Sequence, residues 1–143
     1  MTVRIKRLRE SAILPTRGTD FAAGADLYAA EAAEIPPHQT VMIPFGFAAE
    51  IPEGYVGLLF ARSGIATKRG LAPANKVGVI DSDYRGEFMV GLHNHGDLSQ
   101  TVAAGERIAQ LVIVPYLKPE FVETDELSDT ARGEGGFGST GTH

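Results

Sequence analysis

Five short stretches of the 143-residue chain carry side chains suited to chemistry. The most pointed is Gly78-Val79-Ile80-Asp81-Ser82-Asp83-Tyr84-Arg85-Gly86, an apolar run that ends on two carboxylates and a tyrosine. A carboxylate fixed at a strand end can orient a water and take its proton. Tyr84 can lie flat against a sugar ring. Taken alone, the stretch also reads as an Asp-rich turn, since Asp and Ser favour turns. The second is Arg62-Ser63-Gly64, where an apolar run meets a helical pattern. Free N–H groups at a helix start attract anions, and Arg adds a two-pronged donor for phosphate oxygens. By itself this triplet reads first as a Ser N-cap beside a surface arginine.

The third stretch is the tail, Arg132-Gly133-Glu134-Gly135-Gly136-Phe137-Gly138-Ser139-Thr140-Gly141. Glycines let backbone N–H groups approach a phosphate closely. Arg132 can neutralise a terminal phosphate, and Phe137 has no core of its own to join, so a base face suits it. No Lys follows the glycines, so this is not the familiar phosphate loop of strand–loop–helix nucleotide binders. The other two stretches are weaker. Gly24-Ala25-Asp26-Leu27-Tyr28-Ala29 places one carboxylate at the start of an apolar run, where a turn Asp is the plainer reading. Gly105-Glu106-Arg107-Ile108-Ala109-Gln110-Leu111 sets a Gln in an apolar strand, where it needs partners if buried. His93 and His95, at i and i+2, share a strand face. No third ligand accompanies them, and a polar face is the better reading.

The elements that must position these groups are short strands. Val3 to Leu8 alternates apolar and basic residues, as a half-buried strand does. Gln39 to Ile51 holds two apolar runs parted by Pro44. Tyr55 to Ala61, Val77 to Ile80, Glu87 to His95 and Ser99 to Ala103 follow, and Arg107 to Tyr116 reads as the most buried strand. Turn residues recur every 8 to 12 positions or so, the spacing of a sandwich or barrel. Ser63 to Gly70 is the one clear helix, with Ser63 as N-cap, basic residues late and a Gly stop. From Ser128 onward no packing pattern remains, so residues 1–127 read as a body and 128–143 as a mobile arm.

Composition bounds the function. Lys+Arg number 13 and Asp+Glu 18, so the net charge is −5, without the basic excess of a nucleic-acid binder. The absence of Cys removes disulfides, thiolate zinc sites and a Cys nucleophile. No apolar run approaches the roughly 18 residues of a membrane span. The N-terminal MTVRIKRLRE lacks the apolar core of a secretory signal. A cytoplasmic protein is the expectation, without membrane or nucleic-acid partners.

Together, in this order, GADLYA, ARSG, GVIDSDYRGE, GERIAQL and RGEGGFGSTG resemble the five motifs of the trimeric dUTPases. The resemblance runs from about residue 10 to residue 141. It implies an all-β, jelly-roll-like barrel of mostly antiparallel strands with one short helix and a flexible C-terminal arm, assembled as a homotrimer with sites shared between subunits. It implies hydrolysis of dUTP to dUMP and pyrophosphate with Mg²⁺, limiting uracil in DNA and supplying dUMP for dTMP synthesis. Asp81 would activate the water. Asn75, Gly78 and Met89 would read uracil, and Tyr84 would pack under deoxyribose. Arg62, Ser63, Gly64 and Gln110 would hold phosphates, and Asp26 would act on the magnesium through water. Arg132, Gly138 and Ser139 would close on the γ-phosphate while Phe137 stacks on uracil. The nearest rival, a dCTP deaminase of the same superfamily, would need a Glu base at the cytosine ring.

Overall fold

In a computed structural model of the chain, residues 1–138 are described, and they build an all-β body with one short helix. The strands are β1 (Arg4–Arg7), β2 (Ala25–Tyr28), β3 (Ala33–Ile35), β4 (Thr40–Pro44), β5 (Phe47–Glu50) and β6 (Tyr55–Ala61). After helix α1 (Ser63–Arg69) come β7 (Leu71–Pro73), β8 (Gly78–Ile80), β9 (Met89–Asn94), β10 (Gln100–Val102) and β11 (Arg107–Pro115). All their pairings are antiparallel. The sheets run β2-β11-β6-β8, β4-β9-β7, β1-β5 and β10-β3. Among the described residues this hydrogen bonding leaves open sheets, packed in jelly-roll fashion, and does not close a barrel.

The core lies where the sheets face each other. Phe45, Phe47 and Phe88 are fully buried there with Leu27, Ile35, Ile43, Leu71, Leu92 and Ile108. Phe47 and Phe88 meet at 5.3 Å between ring centroids, the tilted contact aromatic pairs favour. Burial of each such ring stabilises the fold by about 1.5–3 kcal/mol. Among the described residues Asn94 is the one buried polar side chain, and it is fully bonded. Its Nδ2 donates to the carbonyls of Ile35 (2.9 Å) and Leu98 (2.7 Å), and its Oδ1 accepts from Gly96 N (2.9 Å).

Three sequence expectations need correction. Ser63 is not the N-cap: Arg62 holds that position in extended conformation, with no side-chain cap, and Ser63 is the first helical residue. Leu8 does not complete a half-buried strand; β1 ends at Arg7, and Leu8 is 45% exposed. β11 is not the most buried strand. Ile108, Ala109 and Leu111 are buried, but Val112 to Val114 are half-buried. The physical reason is pairing: β2 accompanies β11 only as far as Leu111, while β6 continues alone to Pro115.

Candidate functional site

The chain's chemical groups fall into three places. The first is a cleft of about 420 Å³ whose walls include Asn75, Gly78, Asp81, Tyr84 and Met89. Asp81 directly follows β8, the edge strand held by β6 through the pairs Gly57–Ile80, Leu58–Val79 and Leu59–Gly78. A turn then closes as Tyr84 N donates to the Asp81 carbonyl at 3.1 Å. Tyr84 is fixed at both ends of its ring. Its hydroxyl donates to the Glu87 carbonyl at 3.0 Å, and the ring leans on Phe88 at 6.1 Å. Gly86 permits this, since a Cβ there would lie 2.4 Å from the Tyr84 hydroxyl. Tyr84 is thereby a fixed part of the cleft wall.

Two carboxylates stand nearby, and the geometry separates them. Asp81 lines this cleft and also a polar cleft behind it, with Arg85 and Lys118, whereas Asp83 lines only the polar one. The mouth of the first cleft is a tight turn. Val77 N donates to Asn75 O at 2.8 Å, and Ala74 N to Gly91 O at 2.8 Å, so main-chain groups are gathered there. Thr40 and Met42 of β4 also line it. Sequence reading did not assign them, and no local signal marks them, because β4 reaches the cleft only through its pairing with β9.

Behind Thr40 sits a group of imidazoles. Thr40 Oγ1 and His93 Nδ1 are 2.9 Å apart, and the His93 and His95 rings meet edge to face at 4.7 Å. Burial pushes the His93 imidazole below its ordinary 6.5, and the neighbouring His95, Lys76 and His38 push it the same way.

The second place is the β2-β11-β6 end of the large sheet. Asp26, on β2, faces Gln110 on β11, and Gln110 faces Phe60 on β6. Arg62 continues from β6. Its Nε donates to Asp26 Oδ1 at 2.9 Å, and Arg107 donates to Asp26 Oδ2 at 3.5 Å. Gln110 Nε2 donates to the Ala61 carbonyl at 2.8 Å, leaving its Oε1 over Gly24. Ser63 and Gly64 lie beside Arg62, exposed. Arg107 was not singled out from the sequence, although it stands three residues before Gln110 in the same motif. The set gathers two guanidiniums around one carboxylate.

The third place is the arm, whose hydrogen bonds are local. Arg132 Nε donates to Gly135 O at 2.5 Å, and Gly133 N to Thr130 Oγ1 at 3.0 Å. Phe137 is fully exposed, and Gly138 follows it. Ser139 lies outside the described residues.

Strand register keeps the first two places apart within one chain. Asp81 lies level with Val56 and Arg62 one residue past Ala61, so about 20 Å of β6 separates them at the usual rise.

The donor set also speaks to a metal. Both Asp26 oxygens are engaged by arginines, and among the described residues no group of three His, Asp or Glu gathers as a cage. The described residues therefore offer no direct ligand cage, and any divalent ion here would have to take its ligands from water and phosphate oxygens, as Mg²⁺ readily does.

The family model for dUTPase matches residues 10–141. A deoxyuridine 5'-triphosphate nucleotidohydrolase of Hydrogenobaculum sp. is 49% identical over 142 residues, covering 99% of each chain. One of Desulfitobacterium hafniense (strain DCB-2) is 53% identical over 131 residues, covering 90% of this chain and 87% of the relative. Among solved structures, the dUTPase of Staphylococcus bacteriophage 80alpha with dUpNHpp superposes with a TM-score of 0.91 at 35% identity, covering 99% of each chain. A point mutant of the dUTPase of phage phi11 of S. aureus, described with a structural Mg(II) ion, gives 0.83 at 30% identity, over 90% of this chain and all of that one.

Proposed function

The chain belongs to the dUTPase family, and on that footing we propose that it hydrolyses dUTP to dUMP and pyrophosphate. The observation that carries this is the cleft where Asp81, at the end of β8, shares walls with Tyr84, Asn75, Gly78 and Met89. Uracil enters between the Asn75–Gly78 turn and Met89 and meets main-chain donors and acceptors. Deoxyribose lies on the fixed face of Tyr84, where a ribose 2′-OH finds no room. Asp81 holds a water and takes its proton as the oxygen attacks the α-phosphorus. The bond from that phosphorus to the bridging oxygen breaks, and pyrophosphate leaves.

Arg62 and Gln110, with Ser63 and Gly64, hold the phosphate chain. Asp26 orients Arg62 and meets the magnesium's water shell. The metal supplies charge neutralisation on the phosphates. Arg132, Gly138, Ser139 and Phe137 close the site over the γ-phosphate and uracil and exclude water from it. The limit on uracil in DNA and the supply of dUMP for dTMP follow from this reaction.

The site is shared between three copies of the chain. Support comes from the separation of the Asp81 and Arg62 groups and from residues 116–127. In that segment Leu117 and Phe121 are each 92% exposed, Leu127 86% and Val122 75%. Such a row of exposed apolar side chains suits a partner surface. Among the described residues no helix is long and apolar enough to cross a membrane, and we place the enzyme in the cytoplasm.

Pyrophosphate release from dUTP, dCTP, dTTP and UTP, with and without Mg²⁺, tests the reading. Release from dUTP alone, raised by Mg²⁺, is expected. Ammonia from dCTP without pyrophosphate from dUTP would overturn it.

A further inference from the structure

We propose that Arg69 and Glu106 are positioning residues for the triphosphate chain: their ion pair locks helix α1 to the start of β11 and so sets Arg62 against Gln110. This rests on the reading that Arg62 and Gln110 hold phosphates.

Arg69 is the last residue of α1, and every nitrogen of its guanidinium is used. One terminal nitrogen pairs with Glu106 Oε1, the other donates to the Thr101 carbonyl, and Nε faces Gln100 Oε1 at 3.4 Å. Glu106 is equally committed. Its Oε2 accepts from Ala103 N at 3.0 Å, and its carbonyl accepts from Ala29 N at 2.8 Å. Both side chains are about three-quarters buried. A long surface pair contributes little, but one with each donor and acceptor satisfied holds a geometry.

What it holds is specific. The next residue, Arg107, accepts from Arg62 at its carbonyl (3.4 Å) and reaches Asp26 with its side chain (3.5 Å). Helix α1 is therefore tied at both ends to the same dipeptide, by Arg62 in front and Arg69 behind. The β2–β11 ladder cannot supply this constraint, because its register slips between Arg107 and Ala109. Side-chain ties fix the chain where the ladder is interrupted. Gln110 follows one residue after the slip, bonded to Ala61 at the root of the helix. Release of Arg69 frees the rear of α1 and lets Arg62 move relative to Gln110, while the Asp81–Tyr84 cleft is untouched.

The test compares Arg69→Gln, Arg69→Lys and Glu106→Gln with the unaltered protein, and uses Arg62→Gln as reference. Arg69→Gln should raise the KM for dUTP about tenfold, the effect of losing roughly 1.4 kcal/mol of binding. Its kcat should stay within about twofold, as for loss of uniform binding. Inhibition by dUMP should keep its constant, since dUMP is held mainly by the distant cleft. Arg69→Lys still reaches Glu106 but cannot span Thr101 and Gln100 as well, and should fall between. Glu106→Gln combined with Arg69→Gln should add little to either alone. If Arg69→Gln fails to fold, the KM of Arg69→Lys decides. An unchanged KM for dUTP, or an equal loss of dUMP and dUTP binding alongside a lower Tm, overturns the proposal and leaves the pair a brace for the fold. If Arg62→Gln itself leaves KM unchanged, the phosphate reading fails instead.

Discussion

Gly24→Ala puts the role of Gln110 to a test that steric geometry makes sharp. A Cβ at Gly24 would stand 2.3 Å from Gln110 Oε1 and 3.2 Å from its Cδ. Contacts under 3.0 Å are not tolerated, so the amide must swing away. Gly24 carries no positive φ, so its backbone accepts Ala without strain. The displaced amide loses its 2.8 Å bond to the Ala61 carbonyl. One such bond contributes about 0.5–1.5 kcal/mol, and an off-rotamer side chain costs a similar amount. The fold should lose about 1–3 kcal/mol, which a domain with 5–15 kcal/mol in hand survives. Substrate binding should suffer separately. A hydrogen bond to a charged phosphate oxygen contributes about 1.5–3 kcal/mol, so KM for dUTP should rise about tenfold to a hundredfold. Pyrophosphate release gives KM, and thermal unfolding gives stability. In a Gln110→Ala background the nearest remaining atom is the Cβ at 3.4 Å, an ordinary contact, so Gly24→Ala should then cost almost nothing in either assay. A KM unchanged by Gly24→Ala alone, or an equal penalty in both backgrounds, refutes the reasoning.

Three further outcomes follow from the same geometry. Asp81→Asn should bind dUTP but lose about 10²- to 10⁴-fold in turnover, the range of a general base; mixing it with Arg132→Ala after reversible dissociation should recover activity, and no recovery in verified mixed assemblies would place each site within one chain. Tyr84→Ala removes the ring held by Glu87 and Phe88, so the UTP/dUTP ratio of kcat/KM should rise, and a constant ratio removes Tyr84 from sugar discrimination. His93 has its folded pKa below its ordinary 6.5, so the unfolded chain takes the proton first and stability falls as pH drops from about 6.5 towards the lower folded value; His93→Gln should flatten that acid limb of Tm against pH, and an unchanged slope would remove His93 as its source.

Much of the framework was legible because short apolar runs bounded by turn residues mark strands. Tyr55–Ala61 appears in the structure at those bounds, and the helix starts at Ser63 and stops before Gly70. Pro44 ends β4, where its missing N–H costs least. Two of the four three-residue strands were not legible. Ala33–Ile35 and Leu71–Pro73 are too short to show a period, and they exist through partners far along the chain, β10 and β9. Within the motifs, residue types pointed to Asp81, Tyr84, Arg62 and Gln110, because few side chains carry such chemistry. Arg107 was passed over because its use depends on Asp26, 81 residues away. Thr40 and Met42 were passed over because a cleft wall built by a neighbouring strand leaves no local mark.

The distance between groups was also beyond sequence reading, and it has the larger consequence. The resemblance of the motifs implies sites shared between subunits, but residue types alone say nothing of how far apart the groups stand in one chain. Register supplies that distance: Asp81 sits beside the beginning of β6 and Arg62 at its end. A strand cannot bend back over that length without breaking its ladder, and β6 is paired on both sides, with β11 along its whole length. Arg62 cannot swing toward Asp81 either, because Asp26 and the Arg107 carbonyl hold it. If both groups serve one dUTP, the phosphate group must come from another copy of the chain. The exposed apolar row from Leu117 to Leu127 is then the adhesive for that assembly, and its polar neighbours Glu120, Glu123, Asp125 and Glu126 keep the segment soluble until it docks. Oligomerisation is on this view part of the catalytic geometry, and dilution below the dissociation point should remove activity while leaving each chain folded.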